Sequence, residues 1–242
     1  MTRLLQAVEQ VLVVQGASEK PLGIILAGHN GSGKSTMWRE HLSPRLQLPL
    51  VNADRMMLSI LPEADRATGL LAPWAQSLRD GHEAWMRVAQ KGVEAFVGQA
   101  IVQGVPFAME TVFSDWHIRE DGSIRSKIER IEQMQAAGYF VLLCFVGLSN
   151  AELSVARVMT RVFEGGHAVD VEKLQTRFPR TQSAIRAARA VADATVLVDN
   201  SLGQERAFEV CRIELRGEPL YDTRDDEEPQ PAISEWLNVV AA

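Results

Sequence analysis

Residues 24–36 read IILAGHNGSGKST, an apolar run that enters a loop with three glycines and leaves it through Lys-Ser-Thr. The loop fits the pattern G-x-x-x-x-G-K-[ST] at every fixed position, from Gly28 to Ser35. Glycines let the backbone curl until successive N–H groups point at phosphate oxygens, and the following helix adds its positive dipole end. The stretch therefore predicts a nucleoside triphosphate site between a buried strand and a helix. It does not name the reaction.

Each part of the loop has an expected role. Lys34 can reach the β- and γ-phosphates of ATP, and the Ser35 hydroxyl can ligate Mg²⁺. We expect ATP and Mg²⁺ to bind here. The predicted ATP-binding residues of the loop are Gly28, His29, Asn30, Gly31, Ser32, Gly33, Lys34, Ser35 and Thr36.

Strand-like and helix-like segments alternate along the chain. Near-continuous apolar runs, typical of strands buried on both faces, occupy 23–28, 48–54, 106–111, 139–147 and 194–200, and 208–217 could add an edge strand. Amphipathic helices are predicted at 1–20, at 83–103 and at 123–138, the last ending at Gly138. Alternation of this kind favours βαβ crossovers, a parallel sheet and an α/β fold. We predict one domain over residues 1–242.

Composition excludes several functional classes. The chain is 46% hydrophobic, and no apolar run approaches the roughly 18 residues that span a membrane. Its net charge is −6, of which residues 222–228 (DTRDDEE) contribute −4, so we expect a solvated acidic segment there, followed by a short docking helix. The rest carries no basic stripe, which disfavours nucleic-acid binding.

We expect Cys144 and Cys211 to be core thiols in a reducing cytoplasm.

The motifs of other phosphate-loop proteins are missing from the sequence. It contains no N-K-x-D motif of a GTPase, no L-S-G-G-Q-like helix start of an ABC-type ATPase, and no apolar strand ending in Asp-Glu as in motor ATPases. These differences favour phosphoryl transfer to a small acceptor. Such a transfer requires a carboxylate at the acceptor hydroxyl and cations over the γ-phosphate.

Two carboxylates are candidates for the acceptor side. Asp54 ends the second predicted strand and Glu110 the third. Because the carboxyl ends of parallel strands line the crevice into which the phosphate loop opens, both acids are expected at the mouth of the site. The alternative is structural: Asp54 would cap the following helix, and Glu110 would pair with an arginine.

The candidate cations lie in residues 150–185, which we predict to be a helical lid. Arg157 and Arg161 share one helical face, and Arg177 and Arg180 follow on a second helix after Gly165-Gly166. Two such helices joined through glycines suit a lid that closes over ATP. A solvated basic face is the alternative. We interpret His167 as a hinge contact.

These motifs together resemble the zeta-toxin-like kinases, and more closely their chromosomal branch. The resemblance rests on GHNGSGKST, VNAD, METVFS, RVMTRVFEGGHAV, RFPR and VLVDNS, in order between about residues 23 and 201. It implies a kinase-type P-loop fold, a three-layer sandwich whose central five-stranded parallel sheet has the order 2-3-1-4-5. It also implies transfer of the ATP γ-phosphate to a hydroxyl of a UDP-sugar or a similar nucleotide or sugar.

The resemblance also assigns roles. Asp54 would be the base that takes the acceptor proton, and Glu110, with Thr111 beside it, would hold the acceptor or metal-bound water. Arg161 and Arg177 would act on the transferring phosphate, and Arg157 would bind ATP. An antitoxin, if there is one, would be a separate chain. The segments 55–105 and 112–122 carry no UDP-sugar pattern; Trp74, Trp85 and Trp116 lie there, and core packing is favoured over stacking on a ligand.

Two alternatives to a small-molecule kinase remain open at this point. One is a toxin that acts through a protein partner, with the nucleotide as a regulator. The other is an ATPase without an acceptor, whose rate of hydrolysis would not respond to any candidate acceptor.

Overall fold

The computed structural model of the protein describes residues 3–81, 83–122, 124–163 and 169–242. The strands are β1 (Leu22–Gly28), β2 (Leu50–Val51), β3 (Phe107–Thr111), β4 (Trp116–Ile118), β5 (Ile124–Ser126), β6 (Phe140–Gly147), β7 (Ala194–Asp199), β8 (Glu209–Leu215) and β9 (Glu218–Asp222). The helices are α1 (Arg3–Ala17), α2 (Lys34–Met37), α3 (Ser43–Leu46), α4 (Ala53–Ser59), α5 (Pro73–Gly81), α6 (Glu83–Gln103), α7 (Ile128–Ala136), α8 (Ala151–Phe163), α9 (Val171–Arg189) and α10 (Pro231–Val240). A π-helical turn, Trp38–Leu42, joins α2 to α3.

The central sheet has the order β2-β3-β1-β6-β7-β8-β9 in the described part of the chain. The first five of these strands pair in parallel, which confirms the expected order 2-3-1-4-5. The sheet has seven strands rather than five, because β8 and β9 add an antiparallel hairpin beyond β7. The expected edge strand forms as β8, but β9 pairs with its outer side and becomes the edge.

Helices cover both faces of the sheet and make the three layers that the sequence predicts. On β1, Ile25 and Ala27 pack into one apolar cluster, with side chains of α6, α7, α9 and α10. Ile24 and Leu26 point the other way, into a second cluster with α1 and the π-helical turn. Full burial of each large aliphatic side chain stabilises the fold by about 1.5–3 kcal/mol. Both faces of β1 are therefore held in place, and β1 leads directly into the phosphate loop.

The prediction of a helix over 123–138 is wrong for its first residues. Residues 124–126 form β5, which pairs antiparallel with β4 in a hairpin, Trp116 lying opposite Ser126. The Ser126 hydroxyl then accepts a hydrogen bond from the Ile128 backbone N–H at 3.1 Å, and α7 begins there. The expected glycine stop is confirmed: Gly138 follows the C-cap with φ 86°, a conformation that favours glycine. The helix predicted over 83–103 forms as α6 with the same bounds.

The acidic segment is only partly the solvated segment that the sequence predicts. Asp222 ends β9 and is buried between Arg212 and Arg224, with which it forms ion pairs. Burial alone would raise its pKa, but hydrogen bonds from the two arginines outweigh burial and lower the pKa of Asp222 to about 2. Residues 225–228 are exposed, and α10 docks back on the core as expected.

Both cysteines are buried free thiols, as predicted, and burial raises the pKa of Cys144 to about 12. None of the described helices has the length and the apolar character that crossing a membrane requires.

Candidate functional site

The phosphate loop connects β1 to α2 and has the backbone conformations that its glycines predict. Gly31 and Gly33 adopt φ values of 69° and 90°, in the left-handed region. A Cβ at Gly33 would stand 2.7 Å from Asn200 Nδ2, which is closer than non-bonded atoms approach, and one at Gly31 would stand 3.1 Å from Arg157 Cβ. Glycine is therefore required at Gly33 by space as well as by conformation.

Two side chains from distant parts of the chain fix the loop. Asn200, just after β7, donates from Nδ2 to the Ser32 carbonyl at 2.8 Å. Ser154, on α8, donates from Oγ to the Asn30 carbonyl at 2.7 Å. Sequence reasoning assigned a role to neither residue. The motif VLVDNS points to Asn200, whereas nothing in the sequence around Ser154 distinguishes it from other helical serines.

His29 is buried in the first turn of the loop. Its ring stacks on Phe178 of α9 at a centroid distance of 3.9 Å and meets Phe145 of β6 edge-on. Burial, and then the charge of Lys34, lower the pKa of His29 to about 3, so the ring is neutral at physiological pH. Its side chain thus packs the loop against α9, and its carbonyl accepts from Lys34 Nζ at 2.7 Å.

Lys34 opens α2 and is itself buried. Its Nζ also donates to the Gly28 carbonyl at 3.0 Å. Burial lowers the pKa of Lys34 to about 8; the charges of Glu110 and Asp54 oppose this shift, and those of Arg161 and Lys127 reinforce it. Two carboxylates and two cations from four different elements therefore act on one ammonium group. The structure thus places Asp54, Glu110 and Arg161 within electrostatic range of Lys34.

Ser35 and Glu110 form the oxygen-rich part of the site. Ser35 Oγ donates to Glu110 Oε1 at 2.8 Å and to Oε2 at 3.0 Å. Mg²⁺ is typically bound through one or two protein oxygens together with substrate phosphates and water. A hydroxyl and a carboxylate beside the phosphate loop fit that donor set. Thr36 follows, half-buried, in the first turn of α2.

Asp54 does not end a strand, because β2 stops at Val51. The Asn52 side chain accepts from the backbone N–H groups of Asp54 and Arg55 at 2.7 and 3.2 Å, which starts α4. The structural alternative for Asp54 is also wrong, since Asn52 is the capping residue. Asp54 lies exposed in the first turn of α4, with its carboxylate near enough to Lys34 to raise that lysine's pKa.

The four arginines of the expected lid divide into two pairs. Arg157 and Arg161 lie on α8: Arg157 is half-buried near Asp199, and Arg161 is exposed and acts on Lys34. Arg177 and Arg180 lie on α9; Arg177 is half-buried, which lowers its pKa, and Arg180 is exposed. Gly165, Gly166 and His167 lie outside the described residues. A solvated basic face therefore describes only Arg161 and Arg180, the exposed arginine of each pair.

A cavity of about 600 Å³ lies beside the carboxyl end of β3, between the β4–β5 hairpin and α9. Its lining is strongly polar and consists of Ser114, Asp115, His117, Lys127, Asp170, Glu172, Lys173, Thr176, Arg177 and Arg180. Thr111, at the end of β3, contacts Lys127 Nζ through its hydroxyl. Sequence reasoning missed Lys127, because it lies in a helix-like run and its partner is 16 residues earlier.

The prediction that the tryptophans pack in the core is wrong for two of the three. Trp74 is 59% exposed and Trp85 is 42% exposed, on α5 and α6. Trp116, in β4, is half-buried against the core as predicted.

Comparison with known proteins agrees with this geometry. The family model described as "Zeta toxin" matches residues 8–209, which is most of the chain. The chain belongs to the zeta toxin family. An uncharacterised protein of Haemophilus influenzae is 26% identical over 155 residues, covering 64% of this chain and 91% of that protein. Family membership supports a nucleotide-binding, kinase-type function.

Two solved structures share the fold of this family member. The PezAT chromosomal toxin–antitoxin system of Streptococcus pneumoniae matches with a TM-score of 0.56 and 15% identity, covering 99% of this chain and 88% of the other. The AvrRxo1-ORF1:-ORF2 complex with ATP matches with a TM-score of 0.51 and 15% identity, covering 99% and 70%. At this identity the likeness shows the α/β fold.

Proposed function

We propose that the protein is an ATP- and Mg²⁺-dependent kinase that transfers the γ-phosphate to a hydroxyl of a small acceptor, a UDP-sugar or a similar nucleotide or sugar. The observation that carries the proposal is the contact of Ser35 with Glu110 beside Lys34, with Asp54 and Arg161 close enough to act on the charge of that lysine. A phosphate-binding lysine, a carboxylate for the acceptor proton and a cation for the transferring group are what phosphoryl transfer requires.

In the proposed reaction the acceptor oxygen bonds to the γ-phosphorus while the bond from that phosphorus to the β,γ-bridging oxygen breaks. Asp54 takes the proton of the attacking hydroxyl, and ADP leaves with the electron pair of the broken bond. Lys34 and Arg161 stabilise the negative charge on the transferring group. Ser35 and Glu110 would hold Mg²⁺, which supplies further positive charge at the β- and γ-phosphates.

Asp54 suits the role of base because of its position. It is exposed on the first turn of α4, where an acceptor can reach it, and it lies within electrostatic range of the lysine that would hold the γ-phosphate. Arg177 and Arg157 complete the proposed phosphate contacts, and Thr111 the acceptor contacts.

The decisive experiment compares the wild-type protein with Asp54→Asn in a small-molecule extract containing ATP and Mg²⁺, with mass spectrometry of the products. We expect a species heavier by one phosphoryl group with wild type only, and nucleotide affinity within about threefold for the variant, since the loop is unchanged. Glu63→Gln, which removes an exposed carboxylate just beyond α4, is the matched control. Wild-type-like transfer by Asp54→Asn would overturn the role of Asp54. Accumulation of ADP without a phosphorylated species would support the acceptor-independent ATPase instead.

We further propose a separate antitoxin chain as a protein partner, supported by the likeness to a toxin–antitoxin system. The alternative, a toxin that acts through a protein target with the nucleotide as a regulator, would keep its effect on cell growth when Asp54 is replaced. Loss of toxicity in Asp54→Asn, with the complex still formed, would favour the kinase.

A further inference from the structure

Lys127 occupies the junction between the β4–β5 hairpin and α7. It follows β5 directly, and its Nζ donates to the hydroxyl of Thr111, the residue after Glu110. The hairpin thereby delivers a half-buried cation to the carboxyl end of β3. This is the edge of the sheet where the phosphate loop and both candidate carboxylates lie.

Lys127 connects the phosphate site to the cavity. Its charge is one of those that act on Lys34, and it also lines the cavity of about 600 Å³ beside α9. Burial lowers the pKa of Lys127; the charge of Asp115 opposes this shift, and those of Arg177 and Arg130 reinforce it. An acceptor group that occupies this cavity would therefore lie between Lys127 and α9, beside Thr111 at the carboxyl end of β3.

The charges around the cavity favour an anion. The lining has four cationic side chains, Lys127, Lys173, Arg177 and Arg180, and three acidic ones, Asp115, Asp170 and Glu172. Asp115 forms a salt bridge with Arg125, which lies outside the lining, and Asp170 caps α9 by accepting from the Lys173 backbone N–H. The lining therefore has one cation more than it has acids, and Arg125 offsets the charge of one of those acids.

The contact of Lys127 with Thr111 also favours an anionic ligand in the cavity. A hydroxyl is a neutral partner. A hydrogen bond to a charged group stabilises a structure more than a hydrogen bond to a neutral group does. An anionic acceptor group would therefore be a stronger partner for this ammonium than the hydroxyl. Resting on the proposed kinase function, we propose that Lys127 binds an anionic group of the acceptor and so selects negatively charged acceptors over neutral ones.

The first test does not require the acceptor to be known. A small-molecule extract is separated on an anion-exchange column at about pH 7.5, where phosphates and carboxylates are ionised. The retained and unretained fractions are each incubated with the protein, fresh ATP and Mg²⁺, and analysed by mass spectrometry. We expect phosphorylated product from the retained fraction only. Product from the unretained fraction would overturn the anionic requirement and leave the kinase intact. Product from neither fraction would overturn the kinase function and this proposal with it.

The second test assigns the requirement to Lys127. With the acceptor of the retained fraction, Lys127→Met is expected to raise the KM for the acceptor roughly tenfold or more, as loss of a charge-assisted hydrogen bond does. The KM for ATP should stay within about threefold, and Lys127→Arg should restore most of the affinity. Arg119→Met is the matched control, because Arg119 lies in the turn of the same hairpin, pairs with Glu129 of α7 and does not line the cavity.

Three results of this second test would overturn the proposal. They are an unchanged acceptor KM in Lys127→Met, an equal rise in the KM for ATP, and an equal effect of Arg119→Met. Thermal unfolding of each variant is measured alongside. A Lys127→Arg protein that folds like wild type but binds acceptor no better than Lys127→Met would also count against it.

Discussion

The Ser35 hydroxyl donates one bifurcated hydrogen bond to the two carboxylate oxygens of Glu110, at 2.8 and 3.0 Å, across 75 residues of sequence. The contact joins the first turn of α2 to the end of β3, and it forms because β1 and β3 are parallel neighbours, with Leu26 opposite Glu110. The sheet order alone thus places a hydroxyl and a carboxylate together beside Lys34. The relationship makes Glu110 part of the proposed metal site rather than a partner of an arginine.

Replacing Glu110 by Gln should weaken the response to Mg²⁺. The amide keeps the size of the side chain but removes the negative charge that suits a hard cation. We expect the Mg²⁺ concentration for half-maximal transfer to rise roughly tenfold or more, as for loss of a charged metal contact. The measurement is a Mg²⁺ titration of turnover at saturating ATP. Glu129→Gln, an exposed carboxylate on α7, is the control; identical Mg²⁺ curves for the two variants would remove Glu110 from the metal site.

Asn200→Ala should loosen the phosphate loop. The variant loses the hydrogen bond to the Ser32 carbonyl, which costs about 1 kcal/mol of unfolding free energy and lowers the affinity for ATP. Calorimetric ATP binding and urea unfolding measure the two effects. Asn150→Ala is a useful comparison, because Asn150 accepts from the Leu153 N–H at the start of α8 and makes no contact with the loop in the described structure. It should lose stability but keep its nucleotide affinity. Unchanged ATP binding in Asn200→Ala would contradict the anchoring role.

His29 should make the protein sensitive to mild acid. Its pKa is lowered from 6.5 to about 3 in the folded state, so the unfolded chain binds more protons between these values. The contribution of His29 to the free energy of unfolding should therefore be constant above about pH 6.5 and fall as the pH drops towards 3, by up to about 1.4 kcal/mol per unit.

His29→Phe keeps a ring to stack on Phe178 but removes the titration, and the buried Nε2 has no hydrogen-bond partner to lose. The loss of stability between pH 7 and 5 should be smaller in this variant than in wild type. His117→Phe, an exposed histidine of the hairpin, should behave like wild type. Equal acid sensitivity of the His29→Phe and wild-type proteins would show that another group titrates.

The parts of the fold that sequence predicts are those fixed by local pattern. The loop follows from Gly31, Gly33 and Lys34, because conformation and charge are both set within a few residues. The buried strands follow from uninterrupted apolar runs, which have no other stable location in a folded protein. Their order came from the family resemblance, and the parallel pairing then placed Glu110 correctly.

The errors arise where a distant partner decides the structure. The run 123–138 keeps helical periodicity throughout, but pairing of Trp116 with Ser126 draws its first residues into a hairpin. Lys127 was missed for the same reason, since its importance depends on Thr111. The count of acidic residues in 222–228 predicted that Asp222 is solvated. The count could not show that Arg212 of β8 and Arg224 of the following turn pair with Asp222.

Glu214→Gln should destabilise the fold strongly without affecting the nucleotide site. Glu214 is fully buried on β8 and accepts from Arg212 on its own strand and from Arg189 at the end of α9. Neutralising it leaves two half-buried or buried guanidinium groups with less opposite charge, at a cost of roughly 3–5 kcal/mol. Urea unfolding measures the loss, with Glu218→Gln, an exposed acid on β9, as the control expected to stay near wild type. A change below about 1 kcal/mol would contradict this role of Glu214 and would mean that the C-terminal hairpin is held to α9 by apolar packing instead of by charge.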